Sequence, residues 1–519
     1  MGQLKTSSPN GRLLIWVYAL GAGVAAMSTP VLFVILPFLI QEFSLNAMDI
    51  EWTLVARTLP FVLAFLVAGS LARRFSMRNL LILSSIFIIF GSIAAIDAWA
   101  LTSLLAAQIL IGLGAGLFLS ISLTFLKAVT AKTQLANMMR IWFLGAVLLA
   151  ALGPLIAGWL MLKGEWPAVF WFQILVFVIT SGALLKQGAI EEPASSKIEI
   201  DWLGWILLAL ILFGLSFASI QLPNLGPNSF SVLLALTASF VIAVVFIFVE
   251  LAAPAPLINL TLFKSRTPLG ANGASLLLAS ALGIFLIVLT LELEQVQKLS
   301  PPLIGLTLAL PGLSALILRG PAYLMTDRLG ARLPLLVGAI LMAVGFMELA
   351  RISLTAPYLS DILPGVILLG FGLPFVRASL RQSALQVEEE QIEHASRLNA
   401  GLGHLTFLIV ATFFLGNMMS ATKQELVREL NGVILLSQDR ISILKAAQNL
   451  EPITFSVSLD DFARQAIKQS VKNAQHLGHK KMFNIASALA FGAALIAIFL
   501  LPAYKTPPNP KRKEALTPL

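Results

Sequence analysis

Residues 145–159 read GAVLLAALGPLIAGW, an apolar run that contains three glycines and one internal proline. Gly145, Gly153 and Gly158 carry no side chain, so a neighbouring helix can approach closely at these points. Pro154 removes one backbone hydrogen bond, and the carbonyl that it frees needs another partner inside a membrane. The stretch therefore predicts a membrane helix that packs tightly against a neighbour and bends at Pro154.

The composition of the whole chain agrees with a membrane setting. Of 519 residues, 58% are hydrophobic and 12% are charged, whereas soluble domains carry about 25% charged residues. Apolar runs repeatedly reach about 20 residues, the length of a membrane-spanning helix. We therefore predict an all-α polytopic membrane protein.

Several classes of function are excluded by what the sequence lacks. It has no cysteine for disulfides or thiolate metal sites. It also shows no Walker-type loop, no histidine cluster with metal-ligand spacing and no nucleophile triad. We thus expect neither an enzyme nor a metal or cofactor site. The net charge of +9 is spread over loops rather than clustered, so no nucleic-acid partner is expected.

Apolar runs separated by charged or Pro/Gly-rich breaks predict fourteen spans. Lysine and arginine are concentrated in the segments that lie on the side of the termini, which predicts that both termini are cytoplasmic. The protein would be an integral, multi-pass protein of the cell membrane, or of the inner membrane in a bacterium with two. The predicted spans are 13–40, 52–72, 79–98, 102–126, 138–161, 167–186, 202–222, 230–250, 269–293, 302–323, 333–350, 358–378, 398–420 and 482–503.

Polar segments divide the spans into groups. Within the last group, residues 421–480 form one long outer loop, and their apolar residues recur at helical spacing, which predicts two short amphipathic helices. The predicted parts are an N-terminal tail (1–12), a six-span bundle (13–186), a cytoplasmic linker (187–201), two inserted spans (202–250), a second linker (251–268), a second six-span bundle with the outer loop (269–503) and a C-terminal tail (504–519).

Short motifs follow one another along the chain in a recognisable order. They include MSTPVLFVILP (27–37), GLGAG (112–116), GPLIAG (153–158), DRLGAR (327–332) and HASRLN (394–399). In order and spacing these motifs resemble the fourteen-span drug/proton antiporter branch of the major facilitator superfamily. GPLIAG resembles the Gly-Pro antiporter signature of the fifth span, with Ala157 in place of one glycine.

The resemblance implies two six-helix bundles around a central cavity, two inserted helices between them, and transport by alternating access. It also implies a cytoplasmic latch in the DRLGAR loop. There, Asp327 would lie at a helix N-terminus and meet an arginine across the bundle, and Gly330 would allow a tight turn. The predicted latch residues are Asp327, Arg328, Gly330 and Arg332.

The chain departs from this family at positions that usually carry charge. Ser28 stands where relatives often have an acid in the first span, and Gln108 stands where the fourth span usually offers an arginine. Neither residue can titrate, which puts proton coupling through the usual groups in doubt. The second span instead carries Arg57, a charge that is costly at this depth and needs a partner.

Other ionisable residues in or near the spans are the remaining candidates for coupling. Glu292 and Glu294 are two residues apart and would point to different helix faces, so we expect one of them to face the cavity and hypothesise that Arg57 pairs with one of the two. Glu348 can alternatively pair locally with Arg351. His404 could shuttle protons or serve only in packing.

The sequence favours a secondary exporter of amphipathic or cationic organic compounds that is driven by protons. Two alternatives remain open. The first is an uncoupled or differently coupled transporter of an anionic metabolite or lipid, and the second is a non-transporting membrane scaffold or assembly factor. Beyond its substrate, protons and the lipid bilayer, the protein could contact a periplasmic adaptor through residues 421–480.

Overall fold

A computed structural model describes residues 9–130, 132–162, 165–186, 200–254, 256–387, 392–430, 440, 442–444 and 461–502. These residues are predominantly α-helical, and short connections join the helices. In chain order the helices are α1 (Pro9–Phe43), α2 (Ala47–Arg74), α3 (Met77–Ile96), α4 (Leu101–Val129), α5 (Leu135–Leu160), α6 (Pro167–Lys186), α7 (Trp202–Leu225), α8 (Phe230–Ala252), α9 (Arg266–Leu291), α10 (Pro301–Ile317), α11 (Arg319–Leu329), α12 (Arg332–Leu349), α13 (Leu363–Ala384), α14 (Ile392–Glu429) and α15 (Asp461–Leu500).

Each predicted span coincides with one of these helices or, for 302–323, with the pair α10 and α11. Twelve helices of the described residues are long and apolar enough to cross a membrane, and the bent pair α10–α11 would make a thirteenth. The chain is therefore an integral, multi-pass membrane protein. The remaining predicted span, 398–420, falls in α14, where several side chains lie outside the described residues. The count of fourteen and the side of the termini remain predictions.

Helices α1–α6 pack mainly on one another, and α9–α15 form a second group. The two groups meet where α5 lies against α10 and where α2 lies against α14. Local signals set the helix ends. For example, Asn46 and Asp49 form a reciprocal capping box at the start of α2, and Asp201 accepts a 2.7 Å hydrogen bond from the Gly204 amide at the start of α7. The first linker (187–201) and the two tails lie largely outside the described residues, whereas the second linker (251–268) is described except for residue 255.

Helices α10 and α11 correct the prediction of one continuous span over 302–323. The chain breaks at Leu318, and the two helices meet at a bend of 52°. Pro321 explains the break, because it has no amide hydrogen for the carbonyl of Ile317 and its ring would clash with that carbonyl in a continuous helix.

The region 421–480 corrects a second prediction. The described residues at its two ends belong to long helices, because α14 continues to Glu429 and α15 begins at Asp461. α15 has 40 residues, which at 1.5 Å per residue is about 60 Å, twice the thickness of a hydrocarbon core. Four of the apolar residues that suggested amphipathic helices pack in a small separate core together with Ile443 and Ala474. The four are Leu426, Leu430, Ile467 and Val471.

The inserted helices α7 and α8 form a hairpin beside the α2–α14 contact. The Trp205 indole in α7 donates a 3.0 Å hydrogen bond to the carbonyl of Leu63 in α2. At the other end of α7, Pro223 lies against Gly416 of α14. The hairpin is therefore attached to both groups of helices.

Candidate functional site

Helix α5, which contains the opening motif, connects the two groups of helices through its glycines. An added Cβ at Gly145 would crowd Ala19 of α1, and one at Gly153 would crowd Met27 of α1. On the α10 side, a Cβ at Gly158 would overlap the carbonyl of Pro301. The glycines thus allow backbone-level packing of one helix against both bundles, as the motif predicts.

The α10 side of this contact is built in the same way. Gly305 of α10 faces the backbone of α5, and a Cβ there would overlap the carbonyl oxygen of Pro154. Further along α10, Gly312 lies on Ala151 of α5. The contact between the bundles is therefore tight along several turns of α5 and α10.

Arg57 of α2 is buried inside the first group of helices, with 1% of its surface exposed. Its Nε donates a 2.7 Å hydrogen bond to Oε1 of Gln108 in α4, and Nη2 donates to the same oxygen. Its Nη1 donates a 3.0 Å hydrogen bond to the carbonyl of Ser28 in α1. Ser28, Arg57 and Gln108, which the sequence analysis singled out separately, therefore form one hydrogen-bonded group.

The glycine motif 112–116 places this arginine. Gly112 lies four residues after Gln108, on the same face of α4, and a Cβ at Gly112 would overlap the carbonyl of Arg57. Because glycine lets the two backbones touch there, the Arg57 side chain reaches Gln108. The Gln108 amide nitrogen itself has no hydrogen-bond partner among the described residues.

This arrangement corrects the hypothesis that Arg57 pairs with Glu292 or Glu294. Arg57 is satisfied by a side-chain amide and a backbone carbonyl within α1, α2 and α4, and Glu292 has other partners. Hydrogen bonds to dipoles replace the counter-charge that a buried cation normally requires.

Glu292 is the centre of a second buried cluster, in the other group of helices. It follows directly after α9, where a π-helical turn spans Glu292–Val296, and 1% of its surface is exposed. Its Oε1 lies 2.9 Å from Nδ1 of His476, and its Oε2 lies 2.7 Å from Nδ1 of His479. Both histidines belong to α15, three residues apart and therefore on one face of the helix.

Gln297 connects this cluster with the neighbouring loop. Its Nε2 donates 2.9 Å hydrogen bonds to Glu292 Oε1 and to the carbonyl of Ser353, and its Oε1 accepts from the Ala356 amide at 3.2 Å. Buried carboxylate and imidazole groups inside a membrane protein are typical members of proton relays. The cluster, formed by Glu292, His476 and His479, is the clearest candidate for a proton site in the described chain.

Hydropathy alone does not reveal the two histidines. Lys472, Lys480 and Lys481 interrupt the apolar pattern, so residues 421–480 are predicted as a loop. The usable signal is the spacing of His476 and His479, which fits one helix face if the last span is extended toward its N-terminus.

The other predicted coupling residues lie apart from these two constellations. Glu294 is partly exposed, so its environment differs from that of Glu292, as their spacing predicts. Glu348 forms an ion pair with Arg351, whose Nη1 lies 2.9 Å from Glu348 Oε1, and the arginine side chain is 66% exposed. His404 lies in α14, with its ring 4.6 Å from that of Phe61 and 5.7 Å from that of Phe65 in α2.

The latch residues are only partly arranged as expected. Gly330 has a φ of 78°, so the tight turn is present. Asp327, however, lies in the last turn of α11 rather than at a helix N-terminus, and among the described residues it makes no ion pair. The reason is the break at Leu318, after which α11 begins at Arg319, two turns before Asp327. The latch with Arg328 and Arg332 stays a proposal.

Comparison with known proteins identifies the family. A sequence profile described as Major Facilitator Superfamily matches residues 18–409. The chain belongs to the major facilitator superfamily. It is a transporter of this superfamily and not an enzyme, and its predicted resemblance to the family is confirmed.

Relatives within the superfamily carry names that refer to drug resistance. The methylenomycin A resistance protein of Bacillus subtilis is 28% identical over 56% of this chain, and the match spans 62% of that relative's length. A multidrug resistance protein B homolog of Mycobacterium tuberculosis is 26% identical over 69% of this chain and 67% of the relative.

Solved structures of the superfamily share the fold. A bacterial homolog of the human lysosomal transporter Spinster, in an inward-facing and unoccupied conformation, has a TM-score of 0.64 and 12% identity, with 97% of this chain and 100% of that chain covered. The xylose transporter of E. coli in an inward-open conformation has a TM-score of 0.59 and 12% identity, with 97% and 99% covered. At these identities the likeness concerns the fold alone.

Proposed function

We propose that this transporter exports amphipathic organic compounds in exchange for protons, and that the cluster of Glu292, His476 and His479 carries the proton. The resistance proteins among its relatives support export. The buried position of Glu292 between two histidines supports coupling. A proton bound to either histidine would be balanced by the Glu292 carboxylate, so no unpaired charge would lie in the apolar interior.

The connection between the cluster and the bundle contact supplies a mechanism. Gln297 holds Glu292 on one side, and the chain then runs directly into Pro301, the first residue of α10. Pro301 is the residue on which Gly158 of the antiporter motif packs. In this proposal, a proton that enters or leaves the cluster alters how strongly Glu292 Oε1 accepts the Gln297 hydrogen bond, and this change acts on the α5–α10 contact.

A transport assay tests this proposal. The full-length protein is reconstituted in proteoliposomes with an imposed pH gradient, and the dissipation of the gradient is followed as organic cations and anions are added. We expect dissipation by at least one compound, its loss in Glu292→Gln, and its retention in Glu348→Gln, which removes an exposed acid instead. Equal dissipation by the Glu292→Gln variant would contradict the role of the cluster.

A further inference from the structure

Arginine side chains lie on α11 and α13 of the second group, and one of them contacts α5 of the first group. Arg319 of α11 lies 5.6 Å from the ring of Tyr323 and 5.6 Å from the ring of Phe143 in α5. Since α5 belongs to the first group and α11 to the second, this cation–π contact crosses the boundary between the bundles.

Arg377 extends this basic region toward α14. Its side chain is exposed although α13 packs against α9, α10, α11, α12 and α14. Among its neighbours, α11 carries Tyr323 and α14 carries His404. An exposed arginine in a membrane-spanning helix is expected to face a polar, hydrated space rather than lipid.

The region combines positive charge with aromatic surface. Arg381 lies one helical turn after Arg377 on α13, and the His404 ring packs on Phe61 and Phe65 of α2. Among the described residues, no carboxylate forms an ion pair with Arg319, Arg377 or Arg381. The charge is therefore available to a ligand.

We infer that the space bounded by Arg319, Arg377 and His404 binds amphipathic organic anions, with the arginines on the acidic group and the aromatic rings on the apolar body. Guanidinium groups bind carboxylates through paired, charge-assisted hydrogen bonds. This inference rests on the proposed transport function and names its substrate class as anionic rather than cationic.

Binding to the full-length protein in lipid nanodiscs tests the inference. The probes are 2-naphthoate and 2-naphthylmethylammonium, which share an aromatic body and differ in charge, and calorimetry gives both dissociation constants. We expect 2-naphthoate to bind at least tenfold more tightly. Arg377→Gln should raise the dissociation constant of 2-naphthoate at least tenfold and leave that of the ammonium probe unchanged. Arg377→Lys should restore part of the affinity for 2-naphthoate. Arg266→Gln, which changes an exposed arginine at the start of α9, is the control.

The outcomes separate this inference from the proposed function. Tighter binding of the ammonium probe, or equal weakening of both probes in Arg377→Gln, would overturn the anionic substrate class. If 2-naphthoate binds but no compound dissipates a pH gradient, the inference stands and the proton coupling fails.

Discussion

His479 Nδ1 lies 2.7 Å from Glu292 Oε2, and both side chains are almost completely buried. This pair joins the middle of α15 to the end of α9. Replacing His479 by Asn or Ala should lower the free energy of unfolding by about 1–3 kcal/mol, because a buried acceptor loses its partner. Thermal unfolding in detergent measures the effect. Leu477→Ala, at an exposed position between the two histidines, should change it far less.

Gln108→Glu should stabilise the first bundle, because it places a carboxylate where Arg57 now has only an amide oxygen. Gln173→Glu is the matched control. Gln173 is buried in α6 and accepts a hydrogen bond from Ser92, with no cation as its partner. We expect the melting temperature to rise in the first variant and fall in the second. A fall of equal size in both would contradict the role assigned to Arg57.

Gly305→Ala should disturb the α5–α10 contact, because the new methyl group would overlap the carbonyl of Pro154. We expect a transport rate lower by roughly tenfold or more with the protein still folded, as the bundles are forced apart. Gly182→Ala in α6 is the control, since a Cβ there meets no atom within 4 Å. Alanine should be neutral or stabilising at that position, because it favours helix by about 1 kcal/mol over glycine.

Trp205→Phe should weaken the attachment of the inserted hairpin by about 1 kcal/mol, the value of one hydrogen bond. The indole of Trp205 donates to the carbonyl of Leu63, whereas Trp202, three residues earlier, is 47% exposed. Trp202→Phe is thus the matched control. Thermal unfolding of the two variants distinguishes them, and equal melting temperatures would argue against the hydrogen bond.

The extent of the spans could be predicted from the sequence, because hydropathy depends on the local composition of each helix. The partners of Arg57 and Glu292 could not, because they depend on how helices far apart in the chain are rotated against each other. Ser28 and Gln108 are recognisable as unusual residues one by one, but only the packing of Gly112 on α2 brings them to the same guanidinium.

The hairpin of α7 and α8 connects the surrounding lipid with the boundary between the two bundles. Phe230, Phe240 and Phe248 of α8 are 79%, 71% and 69% exposed, so this helix meets the acyl chains. Its partner α7 holds α2 through Trp205 and touches α14 through Pro223. A bilayer of different thickness tilts such a hairpin. A change in bilayer thickness thereby exerts a force, through the hairpin, on the boundary between the two bundles.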